Sequence, residues 1–138
     1  MSYNSVVLLL GSNINNPEKN IQRALNKIND EVGPILKNSE LSISEPVEFD
    51  SNNNFCNIAV QLKTQFSPIR LLNALKNIEI EMGRTKDSSH FGGYQDRIID
   101  IDIILYNNLK FISKRLTIPH KKNLYERDFA KGLINQVR

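Results

Sequence analysis

The sequence has a single cysteine and no apolar run near the roughly 20 residues that a membrane-spanning helix needs. Cys56 has no partner for an internal disulfide or a thiolate metal site, and we interpret it as a small buried residue of a strand. The first apolar run, residues 6–10, is too short for a signal-peptide core and has no basic stretch before it. These absences predict a cytoplasmic protein that does not enter a membrane.

Repeats, low-complexity segments and charge clusters are also missing. The 138 residues predict one domain, 1–138, which would bury about two-thirds of the surface that its unfolded chain exposes. The net charge is +3, and the basic residues are scattered along the chain. Such a charge suits a nucleic acid and a phosphorylated small molecule equally, so charge alone identifies no ligand.

Helix-start signals and apolar periodicity predict two helices. Asn16 is a candidate N-cap followed by Pro17, and apolar residues recur after it at helical spacing. Ser67 is the candidate cap of a second helix, whose apolar stripe runs from Leu71 to a terminal Gly83. Both stripes predict packing against a sheet.

The strand patterns lie between and around these helices. Leu41 and Ile43 alternate with polar residues as in a half-buried strand, and residues 55–64 alternate an apolar face with a mixed one. Asn107 begins an Asn-Asn turn that predicts a hairpin into residues 109–113. The resulting fold class is α+β, with a ferredoxin-like β-α-β-β-α-β core, an extra C-terminal hairpin strand and a short helical tail. Because this fold hosts many functions, the site must carry the functional argument.

Two aspartates interrupt an isoleucine-rich segment, RIIDIDIILY, at residues 97–106. The composition predicts a strand, in which aspartate is disfavoured. Asp100 and Asp102 therefore share one face, with Cα atoms roughly 7 Å apart. Their charges repel each other unless solvent or a cation lies between them.

Cations and a histidine surround this segment in the sequence. Arg84 follows the second helix, Arg97 precedes the aspartates, and His120 ends the segment RLTIPH. Mg²⁺ commonly binds one or two carboxylates together with substrate phosphates, and arginines neutralise phosphate charge. The pattern favours a site for a nucleoside triphosphate and a metal ion.

Each of these residues also has a structural explanation. The aspartates suit the solvated face of a half-exposed strand, and Arg84 suits the C-terminal end of a helix dipole. His120 suits an ordinary turn, and Asn57 suits either a structural hydrogen bond or recognition of a flat heterocycle. The turn at Gly11 lacks the spacing of a Walker loop or a dinucleotide fingerprint.

Taken together, several segments resemble the 6-hydroxymethyl-7,8-dihydropterin pyrophosphokinase family. These are LLLGSNINNPEKNIQRAL, SEPVEF, FCNIAVQL, IEIEMGR, DRIIDIDIILY, LTIPH and ERDF, which cover almost the whole chain. The resemblance implies transfer of a diphosphate from ATP to 6-hydroxymethyl-7,8-dihydropterin, with AMP released, in folate biosynthesis. It also implies two Mg²⁺ ions held by Asp100 and Asp102, attack by the hydroxymethyl oxygen on the β-phosphorus, and a monomer that needs neither nucleic acid nor membrane.

The resemblance also assigns roles to matching positions. Arg84, Arg97, Asp100 and Asp102 are the implied catalytic residues. The implied ATP-binding residues are Arg84, Lys86, Arg97, Ile103, Arg115, Thr117, His120 and Arg127. The implied pterin-binding residues are Ser44, Pro46, Val47, Phe55, Asn57, Tyr94 and Phe129. The chain departs from the common family pattern at Gly93, where an arginine is frequent, and in a longer loop over residues 85–96.

Two other classes of protein compete with this prediction. A non-enzymatic ferredoxin-like module would bind RNA or a small regulatory ligand, but an RNA-binding sheet displays stacked aromatic and basic residues that this sequence lacks. A catalytically weak paralogue is the other alternative, prompted by the altered loop. Retention of both aspartates, Arg97 and His120 argues against it.

Overall fold

The computed structural model describes residues 3–14, 16–44, 55–83 and 98–138. It contains a mixed α and β fold with an antiparallel sheet. The elements, in chain order, are β1 (Asn4–Ser12), α1 (Pro17–Glu31), β2 (Ile35–Asn38), β3 (Ser42–Ser44), β4 (Phe55–Thr64), α2 (Pro68–Glu81), β5 (Asp100–Tyr106), β6 (Phe111–Ile112), β7 (Thr117–Ile118), a π turn (Lys122–Glu126) and α3 (Asp128–Asn135). Within these described ranges, no helix combines the length and apolarity of a membrane span.

The main sheet has the strand order β2-β4-β1-β5, and β3 also pairs with β4. β1 is central and antiparallel to both β4 and β5. One face of the sheet packs against the apolar stripes of α1 and α2, and it contains the predicted buried Cys56. The other face packs against α3 through Leu9, Ala59 and Ile104. Because α3 covers only this part of the second face, the ends of β1, β4 and β5 beyond it are available for a site.

The predicted helix starts and one predicted helix end are confirmed. The side chain of Asn16 accepts a hydrogen bond from the Lys19 N–H, and that of Ser67 accepts one from the Arg70 N–H. Both caps precede a proline at the first helical position. Gly83 follows α2 with φ of +113°, a conformation that favours glycine.

The predicted hairpin after β5 is wrong in its pairing. Asn107 has the expected positive φ of 50°, but β6 pairs with β7 in a separate two-stranded sheet. The physical reason lies at the outer edge of β5, where the Ile104 carbonyl accepts a hydrogen bond from the His120 N–H. The segment that follows β7 therefore occupies the edge that the hairpin would have used.

The predicted half-buried strand around residue 43 is also wrong in its burial. Leu41 is 38% exposed and Ile43 is 59% exposed. β3 is short and lies at the sheet edge, paired only with the start of β4 among the described strands. An edge strand of this length has too little of the sheet beside it to bury both side chains.

Candidate active site

Strand register brings the predicted metal and pterin residues onto one face of the sheet. Gly11 of β1 lies opposite Asn57 of β4 on one side and opposite Asp100 of β5 on the other. The next residue of β1 on this face, Leu9, lies opposite Asp102. Since directly opposed residues in antiparallel strands share a face, both carboxylates and the Asn57 amide project to the same side.

Gly11 leaves space in the middle of this row. A Cβ atom at this position would lie 2.8 Å from Oδ1 of Asn57, which is closer than carbon and oxygen atoms pack. The absence of a side chain therefore lets the Asn57 amide lie over the central strand, between β4 and the aspartates of β5.

The Asn57 amide is buried but incompletely hydrogen-bonded. The residue is 6% exposed, and its Nδ2 has no hydrogen-bond partner among the described residues. A buried donor left in this state costs about 1–3 kcal/mol. The Nδ2 group of Asn57 is therefore a candidate hydrogen-bond donor to a ligand at this face of the sheet.

Asp102 lies in an environment that disfavours its charge. Burial is the largest cause, and the negative charges of Asp100 and Glu79 add to it, so that the pKa of Asp102 is raised to about 7. Lys76 and a hydrogen bond from Asn123 oppose this rise in pKa. Asp100 and Asp102 repel each other, and Glu79 adds a third negative charge. A cation bound beside them would therefore be favourable.

Glu79 fastens α2 to the aspartate strand and was missed by the sequence reasoning. It is 2% exposed, and its Oε2 accepts a 2.8 Å hydrogen bond from the N–H of Ile101, the residue between the two aspartates. Lys76 lies 3.4 Å from the other carboxylate oxygen. The available signal was a glutamate placed within the buried stripe of α2, between Leu75 and Met82.

A second group of side chains approaches Asp102 from the π turn. Oδ2 of Asp102 accepts a 3.2 Å hydrogen bond from Nδ2 of Asn123 and lies 3.9 Å from Nε2 of His120. Oδ1 of Asn123 in turn accepts a 3.0 Å hydrogen bond from Nη1 of Arg127. Asn123 was also missed, because no sequence periodicity marks a residue of a π turn.

The surroundings of His120 disfavour its charged form. Burial lowers its pKa, and the positive charges of Arg127 and Lys122 lower it further, while a backbone hydrogen bond and Asp100 oppose them. Its Nδ1 accepts a hydrogen bond from the Asn123 N–H at 3.3 Å. The proton therefore resides on Nε2, the nitrogen that approaches Asp102.

A basic cleft of about 360 Å³ opens beside Asp102. Its wall is apolar where Leu72, Ile101, Ile103 and Leu116 contribute, and the rest of the lining consists of Lys76, Asp102, Arg115, Thr117, His120, Lys121 and Lys122. The structure thus brings four of the predicted ATP-binding residues together, Ile103, Arg115, Thr117 and His120. Arg127 is the fifth predicted ATP-binding residue that the structure describes. It is linked to Asp102 of the cleft by the Asn123 side chain, which forms a hydrogen bond with each of them.

The predicted pterin-binding residues are placed only in part. Phe55 begins β4 and pairs with Ser44 of β3, and Asn57 lies two residues further along the same strand face. Phe129, in the first turn of α3, is 40% exposed. The remaining predicted site residues lie outside the described residues, and these are Pro46, Val47, Arg84, Lys86, Tyr94 and Arg97.

The fold and this site together define a class of protein. A cleft rich in cations suits the phosphates of a nucleotide, and its apolar wall suits a base. A neighbouring sheet face with a buried amide suits a flat polar second substrate. Because the two carboxylates lie between these regions, the arrangement is that of a nucleotide-dependent group transferase.

Comparison with known proteins identifies the particular family. The model of the 7,8-dihydro-6-hydroxymethylpterin-pyrophosphokinase (HPPK) family matches residues 7–137. A 2-amino-4-hydroxy-6-hydroxymethyldihydropteridine pyrophosphokinase of Porphyromonas gingivalis is 36% identical over 133 residues, covering 96% of this chain and 89% of that protein. The chain therefore belongs to the HPPK family, and it is a pyrophosphokinase, an ATP-dependent diphosphotransferase of folate synthesis.

A longer bifunctional protein and a solved structure are also similar to this chain. A folate synthesis bifunctional protein of Arabidopsis thaliana is 38% identical over 129 residues, and the chain covers 26% of its length. A crystal structure of wild-type Plasmodium falciparum HPPK-DHPS with pteroate superposes with a TM-score of 0.64 at 16% identity, covering 97% of this chain and 36% of that chain. At this identity the structural similarity concerns the fold alone.

Proposed function

We propose that the protein transfers a diphosphate group from ATP to 6-hydroxymethyl-7,8-dihydropterin at the junction between the basic cleft and the open sheet face. The observation that carries this proposal is the shared face of Asn57, Asp100 and Asp102, with Gly11 between them. The register places the carboxylates between the two regions suited to the two substrates. Diphosphate transfer requires that the two substrates meet beside these carboxylates.

The carboxylates have the donor chemistry of a magnesium site. Mg²⁺ prefers hard oxygen ligands and usually takes one or two carboxylates, with the remaining positions filled by water and phosphate. The described part of the chain contains no cluster of three or more His, Cys, Asp or Glu side chains suited to a metal ion. Because two carboxylates are enough for ions that arrive with phosphate ligands, we propose that Asp100 and Asp102 hold two Mg²⁺ ions that arrive with ATP. When bound, these ions would neutralise charge on the phosphate oxygens.

On the nucleotide side, the cleft residues bind and orient ATP. The apolar wall that includes Ile103 would take the adenine, and Thr117 would supply a hydroxyl at the rim. Arg115, Arg127 and His120 would act on the phosphates, with His120 donating from the protonated Nε2. The resemblance assigns Arg84, Lys86 and Arg97 to the same phosphates, and these assignments stay predictions.

On the pterin side, Asn57 is the best supported residue. Its buried Nδ2 lacks a partner among the described residues and would donate to an acceptor on the edge of the ring. Phe55 and Phe129 would contact the ring faces. The resemblance adds Ser44, Pro46, Val47 and Tyr94 to this side, which stay predictions.

The chain's own residues would act mainly by positioning. The hydroxymethyl oxygen attacks the β-phosphorus and releases its proton to solvent water as the new bond forms, while the bond to the departing AMP breaks. The pKa of His120 is lowered by burial, and its Nδ1 already accepts a hydrogen bond from the Asn123 N–H. It therefore serves better as a donor to phosphate than as a base. Alignment of the two substrates supplies most of the acceleration in such a reaction.

The decisive experiment measures AMP release from ATP in the presence and absence of the pterin and Mg²⁺. We expect release to require both, and to fall at least roughly 10³-fold in Asp100→Ala and Asp102→Ala. Asp128→Ala is the matched control, because this carboxylate is 96% exposed in the first turn of α3. A parent protein that binds both substrates but releases no pterin-dependent AMP would instead support the weak-paralogue alternative.

A substitution at Gly11 tests the geometry of the junction. In Gly11→Ala the new Cβ would displace the Asn57 amide, whose end is free to rotate, so we expect a folded protein with a roughly 10-fold higher KM for the pterin. The KM for ATP should stay within about 2-fold. Steady-state kinetics with each substrate varied in turn checks this result.

Gly132→Ala is the matched control for that substitution. Gly132 lies in α3, and a Cβ there would have nothing within 4 Å. Alanine is the better helix former, so this variant should have parental kinetics and a slightly higher melting temperature. An equal pterin KM in Gly11→Ala and the parent would contradict the proposed location of the ring.

The strand order also supports the finer fold prediction. With β2 and β3 regarded as one edge strand, the order β2-β4-β1-β5 with α1 and α2 on one face corresponds to a ferredoxin-like core. We propose this arrangement for the chain, together with a single domain over residues 1–138. The monomeric state and the cytoplasmic location stay predictions.

A further inference from the structure

We propose that Asn123 is a positioning residue that sets the orientation of Asp102 and Arg127 at the nucleotide side of the site. This inference rests on the proposed function, because it assigns Asn123 to the same site. It concerns a residue of the π turn that contacts no reacting group itself.

The hydrogen bonds of Asn123 match the chemistry of an amide. The residue is fully buried, its Nδ2 donates to Oδ2 of Asp102 at 3.2 Å, and its Oδ1 accepts from Nη1 of Arg127 at 3.0 Å. The Oδ2 atom of Asp102 that faces Asn123 accepts a hydrogen bond, and a guanidinium only donates hydrogen bonds. A side chain that joins the two must therefore carry one donor and one acceptor, which fixes the orientation of the amide.

The main chain of Asn123 adds a third contact. Its N–H donates to Nδ1 of His120 at 3.3 Å. The π turn around it closes with a hydrogen bond from the Arg127 N–H to the Lys122 carbonyl at 3.0 Å, five residues apart. Single π turns are frequent at functional sites. One buried residue thus contacts a proposed metal ligand, a proposed phosphate ligand and the histidine between them.

The network has a consequence for catalysis. One oxygen of Asp102 is turned toward Asn123, and Arg127 is held by the other end of the same amide. Side chains that orient metal ligands commonly change metal affinity or activity by 10- to 100-fold when removed. A residue with only a structural role would change the melting temperature and leave the folded protein's kinetics unchanged.

Two substitutions separate the two ends of the amide. Asn123→Leu removes both side-chain hydrogen bonds and keeps the branching of the side chain, so we expect kcat to fall roughly 10- to 100-fold and the KM for ATP to rise several-fold. Asn123→Asp keeps an acceptor for Arg127 but replaces the neutral amide donor with a second carboxyl group, which repels Asp102 unless the two share a proton. We expect its kcat to fall while its KM for ATP stays near the parental value. Asn135→Leu, an exposed position at the end of α3, is the control and should match the parent.

A second measurement does not depend on turnover. Binding of Mn²⁺ to the protein–ADP complex, followed by electron paramagnetic resonance, should be about 10-fold weaker in Asn123→Leu than in the parent. A parental kcat and parental Mn²⁺ affinity in this variant, with only a lower melting temperature, would overturn the inference. If Asn123→Leu does not fold, the isosteric Asn123→Asp decides the question through its kcat.

The outcomes also separate this inference from the proposed function. A parent without pterin-dependent AMP release contradicts the proposed reaction. Weaker Mn²⁺ binding in Asn123→Leu would then still support the positioning role. Conversely, an active parent with an unaffected Asn123→Leu variant contradicts the positioning role alone.

Discussion

Asp102→Asn should remove diphosphate transfer and, at the same time, stabilise the metal-free protein. The asparagine keeps an oxygen that accepts the hydrogen bond from Asn123 but loses the charge that a metal ion requires. A carboxyl pKa raised from 3.8 to about 7, by burial and by the charges of Asp100 and Glu79, corresponds to roughly 4 kcal/mol against the ionised form. Because 31% of the Asp102 side chain is exposed, solvent screens part of this cost. We therefore expect Asp102→Asn to raise the free energy of unfolding by about 2 kcal/mol.

The increase in stability caused by Asp102→Asn should depend on pH in a definite direction. The folded state binds the Asp102 proton more tightly than the unfolded state does, so the ionised carboxylate costs stability above the folded-state pKa. The difference in free energy of unfolding between variant and parent should be largest above about pH 7 and should fade as the pH falls toward 4. Urea unfolding in EDTA across this range measures it directly.

Asp128→Asn is the matched control for stability. Its carboxylate is 96% exposed, so the substitution should change the free energy of unfolding by less than about 0.5 kcal/mol. Two results would count against the expectation for Asp102. One is a variant less stable than the parent at pH 8, and the other is retention of pterin-dependent AMP release.

Asn57→Leu should abolish productive pterin binding without weakening the fold. The leucine has the same branching as asparagine, and it removes a buried Nδ2 that has no partner among the described residues. We expect the KM for the pterin to rise about 100-fold or more, because a site built around a hydrogen bond discriminates strongly against its loss. The metal-free protein should be equally stable or more stable by about 1 kcal/mol.

A second buried asparagine provides the contrast. Asn20 donates from its Nδ2 to Oγ of Ser12 and to the carbonyl of Ile14. Asn20→Leu should therefore destabilise the protein by about 1–3 kcal/mol, because it leaves these acceptors without their donor. Thermal unfolding and pterin titration of both variants test the pair. Equal destabilisation by the two substitutions would mean that Asn57 is a structural residue.

Both predictions express one property of the site. Asp102 carries a charge that its surroundings disfavour, and the buried Nδ2 of Asn57 has no hydrogen-bond partner among the described residues. A bound cation and a bound heterocycle would relieve these costs. Buried groups whose charge or hydrogen-bonding capacity is unsatisfied in the folded protein are expected at functional sites.

Local rules in the sequence predicted much of the fold. The caps at Asn16 and Ser67, the glycine at the end of α2 and the alternating faces of β4 depend on residues close together in the chain. The pair of aspartates on one strand face follows from the same period of two. Family membership was also evident in the sequence, because motifs spread along the whole chain share one pattern.

The remaining features depended on contacts between distant segments. His120 occupies the outer edge of β5, so β6 pairs with β7, and the short edge strand β3 leaves Ile43 exposed. Glu79 meets Ile101 across 22 residues, and Asn123 meets Asp102 across 21 residues. The sequence determined the elements and the candidate chemistry, because both depend on local periodicity and residue type. Only the tertiary structure decided which buried polar groups meet, since that depends on register and packing.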